Sequence, residues 1–243
     1  MTPASGGASR VRRIGDGLVV DVSPAWPFRL VRRSGPDGVS RLRDGVFERF
    51  LHVDDRPILV RAWERPREDA VRIAAIPARP AWLQAGEAAV QAARPRGRPG
   101  GRAGAAGRPV PRLRTIAKSP PPPPRRADEE HLLIAVERTR HALGVDDDYG
   151  AFYEAFRHDP VLAPAIRSVP WLRARRTFWP WEALAWAITE QLIEAERAHV
   201  IQRRIVARWG AACLPPDRDR PLRDVPGPDV IAARAPAELA ALD

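Results

Sequence analysis

The stretch AITEQLIEAE, Ala187 to Glu196, sets Glu190, Gln191 and Glu194 inside an otherwise apolar helical pattern. Carboxylates can move protons and an amide can read a polar ligand. At 100° per residue Gln191 falls on the same stripe as Trp181, Leu184, Ala185, Ile188 and Leu192. A buried amide without a partner costs about 1–3 kcal/mol. Gln191 therefore either bonds neighbouring backbone or stands where the helix meets a functional surface. Glu190 and Glu194 form a like-charge pair four residues apart, mildly unfavourable on one helix. That points to another partner for Glu190, or to a solvated face. Other chemistries fail on residue types. With one cysteine, Cys213, no intrachain disulfide can form, and no Cys/His set has metal-ligand spacing. Neither a metal nor a cofactor is expected.

The element carrying these residues reads as one long helix. It starts near Pro180, a residue favoured in a first turn, and stops at Trp209 before Gly210. Trp186, Ile193 and Val200 make a second apolar stripe on nearly the opposite side. A helix apolar on two sides packs between neighbours, so this one is expected at the centre of its domain.

Three blocks surround it. Residues 1–16 read as a disordered N-terminus and 17–76 as a β-rich domain. GLVVDV (17–22) is a strand. SPAWPFRLVRR (23–33) has a Ser cap and could be a short helix. VFERFLHV (46–53) and ILVRAWE (58–64) flank the turn signal DDRP and make a hairpin, with DAVRIAAI (69–76) as a third strand. Residues 128–243 are helical. DEEHLLIAVERTRHALG opens with acids in its first turn and closes at Gly144. The fold class is α+β: a small antiparallel β-rich domain, a disordered linker and an all-α core.

The net charge of +10 suggests nucleic acid, but it is not spread over the folded parts. Between Pro77 and Ala127 there are eleven Lys plus Arg against one acid, Glu87, so this segment carries the whole excess. The same segment holds eleven of the 27 prolines, five of them consecutive from Pro120 to Pro124. Such a composition cannot bury enough apolar surface to offset chain ordering, so 77–127 reads as a disordered basic linker. Its Arg, Pro, Gly and Ala content is also that of GC-rich DNA read out of frame; an insertion and a local frame error both stay open. A basic linker of this kind holds phosphate backbone without reading sequence. No apolar stretch has signal-peptide or membrane-span length, and a soluble cytoplasmic protein is expected.

The order of motifs in Val169–Gly210 resembles the first core helix of the helix-hairpin-helix DNA glycosylases, in particular the DNA-3-methyladenine glycosylase II group. The matching residues are the aromatic-Glu start Trp181-Glu182, the Ala187-Ile188 step and Gln191-Leu192-Ile193. Downstream, RDVPGPDVIAARAPAELAALD is similar to the family segment that follows this helix. Upstream, ALGVDDDYGAFYEAFRHDPVLAPAI resembles its linker helices, and residues 23–64 resemble its small β-rich domain. The resemblance covers nearly everything but 77–127.

It implies base excision repair: hydrolysis of the N-glycosidic bond of alkylated bases, flipped out of double-stranded DNA into an aromatic pocket. By motif position Leu192 is the apolar wedge that fills the vacated space, and Gln191 is its neighbour at the DNA surface. Arg197 and Arg203 are candidate phosphate contacts. The family's hairpin and its catalytic Asp lie beyond the segment matched by the last residues here, so no catalytic residue is assigned and a truncated core is expected. Val225–Asp229, VPGPD, offers Pro-Gly and an Asp, but it lacks the second hairpin glycine. The alternative reading is a non-catalytic DNA-binding protein that keeps the wedge helix and the basic linker. Either would be a nucleoid-associated monomer.

Overall fold

The structure, a computed structural model, describes residues 9–31, 39–78, 125–174, 176–218 and 220–242. The expected linker therefore lies, apart from its two ends, outside the described residues. Those ends are ordered. Pro77 pairs with Ile58 in the sheet, and Ala127 is buried in the core.

Six antiparallel strands form one sheet in the order β1-β2-β6-β5-β4-β3. They are β1 (Ser9–Ile14), β2 (Gly17–Val22), β3 (Ser40–Arg43), β4 (Val46–Val53), β5 (Arg56–Arg65) and β6 (Ala70–Pro77). Tight turns set the register. Asp44-Gly45 and Asp54-Asp55 hold positive φ at both turn positions (53° and 75°, 46° and 61°). That handedness matches strand twist, and Gly and Asp adopt it most easily. Over Ser9–Ile14 the strand β1 corrects the expectation of a disordered N-terminus; residues 1–8 lie outside the described residues. The strand is exposed along its whole length and so shows no hydrophobic alternation, yet it pairs with all of β2. SPAWPFRLVRR is not a helix where it is described. Pro27 disfavours helical backbone at Trp26, and Leu30 N–H donates to Glu64 Oε1 at 2.8 Å instead.

One face of the sheet follows a period of two: Val20 and Val22, Phe47 and Leu51, Ile58 and Val60, all buried. Against it packs α1 (Glu129–Leu143), through Leu132, Ala135, Val136 and Leu143. This helix is closed at both ends. Asp128 accepts from His131 N–H, and Gly144 (φ 65°) donates back to the carbonyls of Arg140 and His141. Although it belongs by sequence to the helical block, α1 completes the β-sheet core.

The remaining elements are α2 (Gly150–Phe156), α3 (Ala163–Ser168), α4 (Pro180–Thr189), α5 (Ala195–Trp209), the ribbon β7 (Ala212–Cys213) and β8 (Leu222–Arg223), α6 (Pro228–Ala232) and α7 (Pro236–Ala240). The ribbon makes this part more than all-α. It returns to the second face of the sheet, where Cys213 and Leu222 pack on Phe50 and Leu59. Beside them the fully buried Glu48 carboxylate accepts from Arg218 Nε at 3.1 Å and is ion-paired with Arg61.

The single helix expected over 180–209 is two. Helix α4 ends as Gln191 N–H turns back to the Ile188 carbonyl at 3.3 Å. Leu192 then takes φ 61°, and α5 restarts after the extended Glu194. The expected burial changes with it. Trp181 and Trp186 pack towards Val206 and Val225, while Leu184 and Ile188 are more than half exposed. The stripe computed for a straight rod is divided between two helices.

Candidate nucleic-acid interface

Of the residues singled out by sequence, Gln191 and Leu192 stand in the α4–α5 turn, while Arg197 and Arg203 lie along α5. Gln191 is exposed, and Leu192 has a relative accessibility of 103%, as open as a side chain can be. A leucine in left-handed backbone costs roughly 1–2 kcal/mol relative to ordinary conformations. Leu192 gains no burial in return, and every other described non-glycine residue with positive φ is an Asp. Strain of this kind collects where a fold presents a side chain for a task.

The turn has a built foundation. Gln202, on α5 and only 1% exposed, donates through Nε2 to Thr189 Oγ1 at 3.0 Å and to Glu190 Oε1 at 3.1 Å. Thr189 Oγ1 donates on to the Trp186 carbonyl at 2.9 Å. Glu190 thus has the partner that its position suggested. The like-charge pair with Glu194 dissolves, since the two residues no longer share a helix. Arg197 and Arg203 are exposed on α5, six positions and so about 120° apart around its axis.

The other end of α4 is anchored in the sheet. Glu182, in its first turn, accepts two 3.0 Å bonds from Arg49 of β4 and one of 3.2 Å from Phe178 N–H. Both charged side chains are at most 4% exposed, and the Arg49 guanidinium lies 4.1 Å from the centre of the Phe178 ring. Asp224 extends this network. Its carboxylate lies 3.7 Å from Arg49 Nη2, 2.9 Å from His52 Nδ1, and accepts from Val225 N–H at 2.8 Å. Trp181 Nε1 donates to the Pro226 carbonyl at 2.9 Å. The aromatic-Glu start of the helix motif is therefore a joint: the indole holds the loop after β8, and the carboxylate holds the sheet.

Two cavities flank the pair of helices. An apolar groove of about 290 Å³ is lined by Trp181, Trp186, Ile188, Ile205, Leu239 and Leu242. A cleft of about 460 Å³ with mixed polar and apolar walls opens between the β4–β5 turn and the loop after β8, with His52, Arg138, Trp179, Trp209 and Asp229 among its lining. Val225–Asp229 forms the link from β8 into α6 and is not a turn between two helices. Sequence reading missed the Arg49–Glu182 joint and the Gln202 tie. The tie had one available signal, the hint that Glu190 needs a partner. The joint had none, since its residues lie 133 positions apart.

No protein-family model matches the chain, and no curated protein sequence matches it. Solved structures do. A 3-methyladenine DNA glycosylase from Archaeoglobus fulgidus superposes with a TM-score of 0.60 at 14% identity, covering 91% of this chain and 60% of that one. MBOgg1, solved in complex with a low-affinity DNA ligand, superposes with a TM-score of 0.55 at 15% identity, covering 97% of this chain and 60% of its own. The chain has the DNA glycosylase fold, and it spans 60% of the length of either structure.

Proposed function

We propose that this chain is the DNA-engaging part of a base excision repair glycosylase of the alkylated-base type, with double-stranded DNA as its partner. One observation carries the reading: a fully exposed leucine in left-handed backbone, at the turn between two helices, within a DNA glycosylase fold. Leu192 enters the base stack where a damaged nucleotide has swung out, and Gln191 lies beside it at the groove floor. Burying an isolated leucine side chain between bases returns about 1.5–3 kcal/mol, against an unstacking cost of a few kcal/mol. An abasic site has already met part of that cost, so it is the preferred target for binding. Arg197 and Arg203 supply phosphate contacts, which add affinity without discrimination. No residue of the matched segments is assigned the catalytic carboxylate.

The test is fluorescence anisotropy of purified protein on two duplexes that differ only by a tetrahydrofuran abasic analogue. Wild type prefers the abasic duplex, and Leu192→Ala loses about tenfold of that preference, the worth of roughly 1.4 kcal/mol of lost burial. Equal, salt-dependent affinity for both duplexes, untouched by Leu192→Ala, would leave only non-specific DNA binding.

A further inference from the structure

We infer that Gln202 is the positioning residue for Leu192, fixing the α4–α5 turn in the shape that presents the side chain to DNA. This rests on the reading of Leu192 as the wedge. Leu192 is fully exposed, so packing cannot set its direction; the backbone of the turn must. That backbone runs through five residues, 190–194, between two helices. Across the base of the turn stands the buried Gln202. One amide nitrogen bridges the last residue of α4, Thr189, and the first residue after it, Glu190. An amide has two N–H groups on one nitrogen, and both are used here. No other uncharged side chain of this length supplies that fork. A glutamate at 202 would face the Glu190 carboxylate, and a leucine would fill the space and hold nothing. The strained φ of Leu192 needs this kind of restraint, because a free turn relaxes towards ordinary backbone.

The tie is also separable from the fold. Glu190 is exposed and can be solvated, and Thr189 Oγ1 keeps its own bond to Trp186. Removing the fork loosens the turn more than it harms the core.

The experiment compares wild type, Leu192→Ala, Gln202→Leu, the double variant Thr189→Val/Glu190→Ala, and the combination of that double variant with Gln202→Leu. Each is titrated onto abasic and intact duplexes, with 2-aminopurine opposite the abasic position to report insertion, and thermal unfolding checks the fold. The ratio of the two affinities cancels the electrostatic gain from deleting Glu190, which acts on both duplexes alike. Gln202→Leu should lower the abasic-to-intact ratio roughly fivefold, the scale of one net hydrogen bond. It should weaken the 2-aminopurine response and leave intact-duplex binding unchanged. Thr189→Val/Glu190→Ala should lower the ratio by a similar factor, and adding Gln202→Leu to it should lower it no further. A Gln202→Leu protein with the wild-type ratio, while Leu192→Ala loses it, overturns the inference and leaves the wedge standing. Additive losses, or equal losses on both duplexes with a large fall in unfolding temperature, show a merely structural glutamine and also overturn it. If Leu192→Ala itself keeps the wild-type ratio, the wedge reading fails and this inference fails with it.

Discussion

Glu182→Ala tests how the helical part is joined to the sheet. The substitution removes two 3.0 Å charge-assisted bonds to Arg49 and the acceptor for Phe178 N–H. Arg49 stays charged and 2% exposed, with Ser40 Oγ at 3.3 Å and Asp224 Oδ1 at 3.7 Å as its remaining oxygen neighbours. Deleting one partner of a buried pair costs about 3–5 kcal/mol. The surviving Asp224 carboxylate and the Phe178 ring face 4.1 Å away soften the loss here, to about 3 kcal/mol. In a chain of this size that lowers Tm by about 6–12 °C. Removing both charges behaves differently: Arg49→Met/Glu182→Leu leaves neither charge of the pair stranded, only the Phe178 N–H without its acceptor, and should stay within about 2 kcal/mol of wild type. Urea unfolding followed by far-UV circular dichroism gives both differences. A Glu182→Ala protein within about 1 kcal/mol of wild type, or a double variant no more stable than the single, would show that this joint does not carry the interface.

Three further outcomes follow from local geometry. Leu192→Gly relieves left-handed strain at a side chain with no packing to lose, so it should raise stability by about 1 kcal/mol while weakening abasic-site binding; denaturant melts and anisotropy read the two opposite effects. The Arg72 guanidinium, hydrogen-bonded at 2.5 and 2.7 Å and aided by Arg12, holds the Asp21 carboxyl below the usual carboxylate range. Its folded pKa therefore lies below its unfolded value, and its contribution is complete above the unfolded value and lost as pH falls through the folded one. The Tm deficit of Asp21→Asn should be full at neutral pH and vanish in strong acid. Burial under the sheet pushes the Cys213 thiol up to about 11, so alkylation at neutral pH should track unfolding and proceed at a free-thiol rate only in denaturant.

Those parts of the fold were legible whose signals are local. VFERFLHV and ILVRAWE around DDRP became β4 and β5, joined through Asp54-Asp55 at positive φ. DEEHLL to Gly144 became α1, with the Asp cap and the glycine stop where their chemistry places them. Other elements form only through distant partners. The strand β1, Ser9–Ile14, is a basic sequence exposed on both sides, and only the β2 edge makes it a strand. The two-residue strands of the ribbon exist because Cys213 and Leu222 find Phe50 and Leu59. The break in the long helix carries no Gly or Pro. Its one trace is the charge order of α5, with Glu196 in the first turn and Arg208 in the last, as a separate helix dipole prefers. Periodicity buried Leu192, whereas the family resemblance placed it at a surface, where the structure also has it.

The wedge role proposed for Leu192 requires a turn stiffer than the base stack it enters. A leucine with no packed neighbour transmits no more force than its backbone can bear, so the stiffness must come from both helices that bound the turn. The start of α4 is held to the sheet by Glu182 and Arg49, and to the loop after β8 by the Trp181 indole. Its end is held to α5 by Gln202. The far end of α5 is fixed as well. Gly210 passes so close to the Asp224 and Val206 carbonyls, 2.3 and 2.5 Å from where a Cβ would stand, that only glycine fits without a backbone shift. Asp224 in turn contacts Arg49 and His52. The restraints thus close a loop that runs from β4 through α4, across Gln202 to α5, and back through Gly210 and Asp224 to β4. Such a loop explains why a charged pair, costly to bury, sits over 130 residues apart in sequence at the base of a helix whose other end carries the strained leucine. On the proposed function, loosening any member should lower the preference for an abasic duplex before it unfolds the chain, with the largest effect at the member nearest the turn, Gln202.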